Sequence, residues 1–458
     1  MKRWILALLL CTPSLAQVRL PAYTRDVLTN GTVLYLMPRA GLPLVQFRIL
    51  VTGGAESETA QLAGLPGITA ALLREGTARV TAAQFSEELD SLGGIFDALT
   101  DDQATVITAE FLKKDFDRGL ALVSDAVLHP AFPEAEVRKM LARRTDGLKT
   151  TKDNPNAAIV NYYRNFFFGG NHPYGRVADE ASLDRIRRDD VMEYHKRMYA
   201  GRNLIVIVAG DFDSANAKLR VAESFGAAPA GMPYEWVEDR KPGAGAEGRV
   251  LLVDKPDATQ TYFVIAQAGA KRTTADRVPL LLVNTLFGGR FTSMLNDELR
   301  VNTGLTYGAG SRLEMGRLTG GLYISSYTKT ETTARAIDLA LDVLKGLREK
   351  GITAEQLASA KAYIKGTYPP RTVQTSDQIA TALGDMELFG LDRNEVDQFF
   401  ARVDAVTLEQ ANQVIRKYYG TERLAFVLLG NASKIREVAA KYGKVSERTV
   451  KQAGWAGD

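Results

Sequence analysis

The sequence predicts an α+β protein built from two duplicated α/β sandwich domains, each an antiparallel or mixed sheet with helices on one face. Three observations predict it. The ends of the two halves match at a constant offset of 220 residues: Ile186, Val191, Tyr194, Tyr199 and Leu204 to Gly210 answer to Val406, Ala411, Val414, Tyr419 and Leu424 to Gly430. Each set reads as an amphipathic helix, a short turn and a buried strand stopped by glycine. One offset covering both a helix and a strand pattern points to duplicated units, each forming a domain. Second, strands and helices come in blocks rather than in strict alternation, which argues for α+β. Third, 458 residues exceed one ordinary core. The stretch Ala227 to Gly248, rich in Pro, Gly and charged residues, reads as a solvated linker between units at 17–226 and 249–458.

Along the first half, strands at about 32–37 and 45–53 read as a pair, followed by helices near 60–74 and 81–92. Gly93-Gly94 breaks the chain. Ile95 to Leu99 and Ala104 to Phe111 read as a hairpin with Asp101-Asp102 in its turn. Helices near 114–128, 133–150 and 154–168 follow. The second half repeats the plan: paired strands Val250 to Asp254 and Thr261 to Gln267, helices near 276–287 and 291–301, then strands near 306–313 and 319–328.

The composition, 45% hydrophobic and 24% charged, suits buried cores. Lys2 and Arg3, the apolar run Trp4 to Leu10, and Ser14-Leu15-Ala16 read as a signal peptide over 1–16 with a mature start near Gln17. The apolar run is too short to span a membrane. The single cysteine, Cys11, lies inside it. A lipobox reading of Leu8 to Cys11 wants a small residue before the cysteine, so cleavage at Ala16 is the expectation. The mature chain then has no thiol or disulfide chemistry and is expected in the periplasm. Net charge is +3, and without Lys2 and Arg3 the count is 55 basic to 54 acidic, interspersed along the chain. That balance argues against a nucleic-acid footprint or a basic membrane patch.

The stretch Ala63-Gly64-Leu65-Pro66-Gly67-Ile68-Thr69-Ala70-Ala71-Leu72-Leu73-Arg74-Glu75-Gly76-Thr77 carries the frame G-L-x(10)-G-T. With His172-Pro173-Tyr174-Gly175, Asp153-Asn154-Pro155, Ala209 to Phe212, and Leu286 to Arg300 running on through Gly304 to Tyr307, it resembles the insulinase/pitrilysin family of inverted zinc peptidases, which includes the processing peptidases. The resemblance spans nearly the whole mature chain. It implies that the helix should read G-L-x-H-x-x-E-H-x-x-x-x-G-T. The two histidines would fall on Gly67 and Ala71 and the catalytic glutamate on Ala70. The third ligand, a glutamate before the D-x-P turn, would fall near Asp146 or Gly147. Zinc needs imidazole, thiolate or carboxylate donors, and hydrolysis needs a base. Gly and Ala supply neither, so no metal is expected in this chain. His129, His172 and His195 have no second histidine at ligand spacing and read as structural or surface residues.

What the frame keeps is Arg300 and Tyr307, seven residues apart at a helix end and the following strand. The resemblance implies that this pair faces, across a two-halved shell, a zinc held by the opposite half. A phenol can donate to a developing oxyanion and a guanidinium can hold substrate oxygens. The plainer reading is that Arg300 complements a helix C-terminus and Tyr307 is a strand aromatic. Gly269 and the strand Thr319 to Thr328 are candidates to line the same cavity, where an edge strand could bind an extended peptide.

The resemblance therefore implies a catalytically incomplete subunit, inactive alone. It would form a heterodimer with a homologous zinc-bearing chain and supply Arg300 and Tyr307 to peptide cleavage. A non-catalytic scaffold or peptide-binding core subunit is the alternative. The N-terminal reading has its own check. Intact-mass analysis of the protein exported by its host should show a chain lacking Met1 to Ala16, and a lipid-bearing Cys11 would replace that reading with an anchored form.

Overall fold

Two fully buried apolar strands lie at the centres of two six-stranded sheets in the computed structural model, which describes residues 18–238 and 248–455. The expected signal peptide with Cys11, and residues 239–247 of the expected linker, lie outside the described residues. The first sheet comprises β1 (Thr24–Val27), β2 (Val33–Pro38), β3 (Leu44–Thr52), β4 (Ile95–Thr100), β5 (Ala104–Leu112) and β6 (Leu204–Gly210), in the order β1-β2-β6-β3-β5-β4. The second comprises β7 (Arg249–Asp254), β8 (Gln260–Ala268), β9 (Ala309–Met315), β10 (Gly320–Lys329), β11 (Ala425–Gly430) and β12 (Lys444–Thr449), in the order β12-β7-β11-β8-β10-β9. Five of the six positions, from β2 and β7 across to the edge strands β4 and β9, correspond one to one, so the duplicated plan holds in topology as well as in sequence. The remaining strands differ: β1 runs antiparallel to β2, and β12 runs parallel to β7.

One strand pairing corrects the expectation. The strands β2 and β3 are not paired with each other, because β6 inserts between them, parallel to β2 and antiparallel to β3. Likewise β11 separates β7 from β8. The physical reason is burial. Every residue of β6 and β11 is buried, so these strands take interior positions with both edges and both faces covered.

The helices of the first half are α1 (Leu65–Leu72), α2 (Ala82–Ser91), α3 (Phe116–Leu128), α4 (Glu134–Asp153), α5 (Pro155–Phe168), α6 (Glu180–Arg185), α7 (Arg188–Met198) and α8 (Ser214–Gly226). Most of them cover one face of their own sheet, as expected, with Phe47, Phe85, Phe111, Leu120 and Val206 in the shared core. The opposite faces are covered by exchange. Tyr162, Tyr163, Phe167 and Phe168 of α5 pack on Val253, Val264 and Val427 of the second sheet. Ile379, Ala380, Leu383 and Met386 of the helix Ser376–Leu388 pack on Met37, Leu50, Ile205 and Ile207 of the first. Alternation along β11 sends Phe426 and Leu428 to one core and Val427 and Leu429 to the other. Among the described residues one helical stretch, Arg277–Asn302, is long and apolar enough to cross a membrane, and half of it is buried in the protein.

Where described, the expected linker is mostly exposed, and a few of its residues are tied to the two halves. The Tyr234 amide donates to Asn203 Oδ1 at 2.7 Å, and the Val237 amide donates to Glu56 Oε1 at 3.1 Å. The Arg317 guanidinium lies 4.6 Å from the Trp236 ring centre.

Arg317 also pairs with Glu56 at 2.7 Å, joining the two halves. Glu56 is buried, and burial raises its pKa against the lowering effect of Arg317. Removing one partner of a buried pair costs about 3–5 kcal/mol. Arg317→Ala should therefore destabilise the chain by about that amount at pH 7, with a smaller loss at pH 4, where Glu56 can protonate. The double change Arg317→Met with Glu56→Gln should recover most of it. Urea unfolding of the three chains at both pH values checks this.

Candidate functional site

The helix α1 stands where the zinc-binding helix of the resemblance would stand. Gly64 precedes it at φ 98°, and a Cβ there would come within 2.8 Å of Ala178 Cβ, so glycine is required. Its amide donates to Glu58 Oε2 at 2.7 Å. At the other end Thr77 Oγ1 donates to Asp125 and accepts from the Arg79 and Val80 amides at 3.1 and 3.2 Å, closing a turn. The frame residues that remain thus have local structural roles. The positions of the chemistry do not: Gly67 is partly exposed with open space where a Cβ would be, Ala71 is half-buried, and Ala70 is buried. The helix α4 packs against α1. On it Asp146 is exposed and bonds Lys149 at 3.0 Å, and Gly147 is exposed. Hydrogen and methyl groups have no lone pairs, so this donor set does not fit a zinc ion. Among the described residues no three His, Cys, Asp or Glu side chains converge as a metal site.

The histidines have structural surroundings. His195 is stacked 4.5 Å from Tyr199 and hydrogen-bonds the Val127 carbonyl through Nε2 at 2.8 Å. Burial pulls its pKa down to about 4, so it stays neutral at pH 7. His172 Nδ1 accepts from the Tyr174 amide at 3.0 Å. The Tyr174 hydroxyl in turn accepts from the Leu318 amide at 2.9 Å, in the other half. A Cβ on Gly316 would fall 2.4 Å from that hydroxyl. The H-P-Y-G motif is therefore a clasp between the halves. His129 ends α3.

Arg300 and Tyr307 occupy one corner of the second half. The apolar stretch leaves α-helical geometry in two π turns, Thr285–Gly289 and Asp297–Asn302, and Arg300 sits on the second. Such turns are frequent at functional sites. The second turn is closed by the Gly304 amide to the Arg300 carbonyl at 3.1 Å and the Leu305 amide to the Leu299 carbonyl at 2.9 Å. Tyr307 is not on a strand: it lies in the loop two residues before β9. Gly304 turns the backbone at φ 63°, and Thr306 Oγ1 ties to Gly308, so β9 starts only at Ala309. The backbone either side of Tyr307 is fixed while its side chain is 81% exposed. Phe291 and Val301 are 67% and 65% exposed, and the Arg300 guanidinium lies 4.5 Å from the Phe291 ring centre.

Phe291, Gly308 and Tyr327 border a cavity of about 370 Å³ that reaches Ile159 of α5. Sequence reasoning missed Phe291 as the platform for Arg300, although it stands in the quoted run Leu286 to Arg300. Thr319 to Thr328 falls largely on β10, which has β8 and β9 on its two edges and cannot accept a further strand. The free edges at this end of the sheets are β9 and β4, and Ile95 and Leu99 are exposed on β4. Gly269 packs against Gly320 and Gly321, where a Cβ would meet backbone at 2.9 Å.

Comparisons with known proteins agree with this architecture. Residues 40–168 match the family profile described as Insulinase (Peptidase family M16), and residues 185–364 match that described as Peptidase M16 inactive domain. An uncharacterized zinc protease of Mycobacterium tuberculosis is 26% identical over 393 residues, covering 83% of this chain and 87% of that one. The non-peptidase homolog YmxG of Helicobacter pylori is 24% identical over 387 residues, covering 83% and 88%. Among solved structures, a peptidase M16 inactive domain from Pseudomonas fluorescens superposes with a TM-score of 0.83 at 23% identity, covering 90% of this chain and 98% of that one. A protease from Helicobacter pylori gives 0.80 at 17% identity, covering 90% and 100%. At these identities the structural likeness shows the fold.

Glu58, at the foot of α1, gives a test of the site's electrostatics. Burial pushes its carboxyl up to about 8, against the lowering effects of the Gly64 amide and Arg176. The folded chain therefore holds this proton more tightly than the unfolded chain. The resulting stabilisation is fully present below the unfolded carboxylate pKa of ~4.3 and is lost as pH rises through about 8. Glu58→Gln keeps an acceptor for Gly64 and cannot titrate. Between pH 5 and 8 its stability should fall less steeply than the wild type's, by up to about 1.4 kcal/mol per pH unit. Denaturant midpoints across that range measure it.

Proposed function

The chain belongs to the insulinase family, peptidase family M16, and from that premise we propose that it is the catalytically incomplete subunit of a two-chain peptidase. A homologous partner would carry H-x-x-E-H and the third glutamate, and with them the zinc. This chain would supply Arg300, Tyr307 and part of the wall that holds the peptide substrate. The observation that carries the reading is the Arg300 corner. Tyr307, Phe291 and Val301 are large and exposed, Phe291 carries the Arg300 guanidinium, and the backbone around Tyr307 is tightly held. A fixed loop presenting an unused phenol and a guanidinium suits a site completed from outside. The free edge of β9 begins two residues after Tyr307, where an extended peptide could add by main-chain hydrogen bonds.

Alone, the chain should neither hold zinc nor cleave peptides, since Gly67, Ala70 and Ala71 offer no ligand and no base. Its signal-like N-terminus places the pair in the periplasm in this reading. A scaffold or peptide-binding role is the second reading, favoured by the same missing donors.

The experiment mixes the purified chain with a homologue bearing the intact motif. Elemental analysis should find no stoichiometric zinc in this chain. Gel filtration should show a heterodimer, and peptide kinetics should show turnover only in the mixture. Arg300→Ala and Tyr307→Phe should assemble normally, since both side chains are outside the cores, and should lower turnover by roughly 10²-fold or more. Mutants that assemble and cleave at the wild-type rate would leave the scaffold reading in its place.

A further inference from the structure

Three arginines gather round one carboxylate at the far end of β9 from Tyr307. Arg272 follows β8, and its backbone amide donates to the Gly316 carbonyl at 2.8 Å. Arg277 opens the helix α9 (Arg277–Asn284). Arg402 comes from the helix Phe399–Ala405. All three guanidinium groups pair with Glu395, Arg272 at 3.1 Å and Arg402 at 2.8 Å. Three positive charges against one negative leave +2. The half-buried Asp385, with its carboxyl pKa raised by desolvation, also faces Arg272 and Arg277 and leaves +1 when ionised. The neighbouring Asp276 is paired with Lys417 at 2.6 Å, and Asp397 with Arg393 at 2.7 Å, so neither is free to neutralise the group.

The arginines are also held in place. Arg272 lies 5.5 Å from the Phe389 ring centre and Arg277 lies 6.0 Å from that of Phe399, which itself stacks on Tyr368 at 4.1 Å. Arg272 Nη1 and Arg402 Nε are buried with no hydrogen-bond acceptor. Leaving buried charged donors without acceptors is costly. Burial and the neighbouring Arg272 together pull the Arg277 pKa down to about 10, although Glu395 opposes them. An open cavity of about 390 Å³ lies directly over the group, lined also by Thr273, Thr274 and Gln410.

Preorganised guanidinium groups in charge excess, hydroxyl and amide donors, and an open mouth match a multiply charged oxyanion better than a neutral ligand or a cation. We propose that the Arg272–Arg277–Arg402 pocket binds a tetrahedral oxyanion of the phosphate class, free or as the head of a small phosphomonoester. This site is separate from the Arg300 corner and does not depend on the peptidase reading.

The test is calorimetric titration of the purified full chain, in chloride buffer at pH 7 and constant ionic strength, with inorganic phosphate, glycerol phosphate and acetate. One saturable phosphate site is expected, at least about tenfold tighter than acetate. Glycerol phosphate binding as tightly as phosphate would identify an ester head as the source, and phosphate binding alone would identify the free anion. Ala275→Glu places a carboxylate at the exposed rim of the cavity. It should abolish phosphate binding with circular dichroism unchanged, and raise Tm in phosphate-free buffer. Arg402→Gln should weaken phosphate by roughly tenfold or more. No saturable heat with phosphate, an unaltered isotherm in Ala275→Glu, or acetate binding as tightly as phosphate would each overturn the proposal.

Discussion

Each of the two sheets has two apolar faces, and each half of the chain covers only one of them with its own core of helices. Strands β6 and β11 are buried at every residue, so the second face of each sheet has to be shielded from water. The exchange of α5 for the helix Ser376–Leu388 meets both demands at once. Burying one large side chain contributes about 1.5–3 kcal/mol. Four aromatics on α5 alone are thus comparable with the whole net stability of an ordinary domain, about 5–15 kcal/mol. The two halves are mutually dependent rather than beads on a string. The other joints follow from that contact. Tyr174 reaches Leu318, Arg317 reaches Glu56, and the Trp455 indole donates to the Ala178 carbonyl at 2.8 Å.

What could be read from the sequence was whatever local periodicity records. The repeat at 220 residues, the hairpin around Asp101-Asp102 and the helix starts at Thr81 and Asn154 all appear in the chain order in which they fold. Pairing between distant strands is not recorded locally, so the insertion of β6 between β2 and β3 was missed. The exchange of helices did leave a trace. The run Tyr162-Tyr163-Arg164-Asn165-Phe166-Phe167-Phe168 has too many apolar neighbours for a single buried stripe, and a helix apolar on more than one side is buried on more than one side. The π turn under Arg300 left none, because hydrogen bonding five residues on has no composition of its own. Tyr307 was misplaced onto a strand because an aromatic beside an apolar run reads that way. Gly304 and Gly308 were the available signal that the backbone was still turning.

The motif fragments that carried the family resemblance divide cleanly once each has a physical role. Gly64, Thr77, Asn154, His172 and Tyr174 cap, turn or clasp, and any chain with this fold needs something like them whether or not it cleaves anything. Their order along the chain is evidence for architecture alone. Arg300 and Tyr307 are different in kind. Among the described residues no core or hydrogen-bond network calls for a phenol standing in solvent or for a guanidinium over an exposed ring. Function has to be argued from groups like these, because the fold accounts for the rest.

The empty motif on α1 also explains itself energetically. In small zinc domains the metal contributes folding free energy outright, and losing a ligand unfolds the chain. Here α1 is held by Leu65, Ile68 and Leu72 in a core that contains no metal-binding side chain. Of the positions for the chemistry, Ala70 is buried and Ala71 packs at the edge of the core as a small apolar side chain, and at Gly67 a side chain would meet nothing. Glycine inside a helix costs only about 0.5–1 kcal/mol relative to alanine. Erasing the donors therefore removes chemistry and leaves stability almost untouched. That asymmetry is the physical condition under which a peptidase scaffold can lose its metal and persist in another role. It follows from where the core lies, since α1 is held by apolar packing that needs no metal ligand.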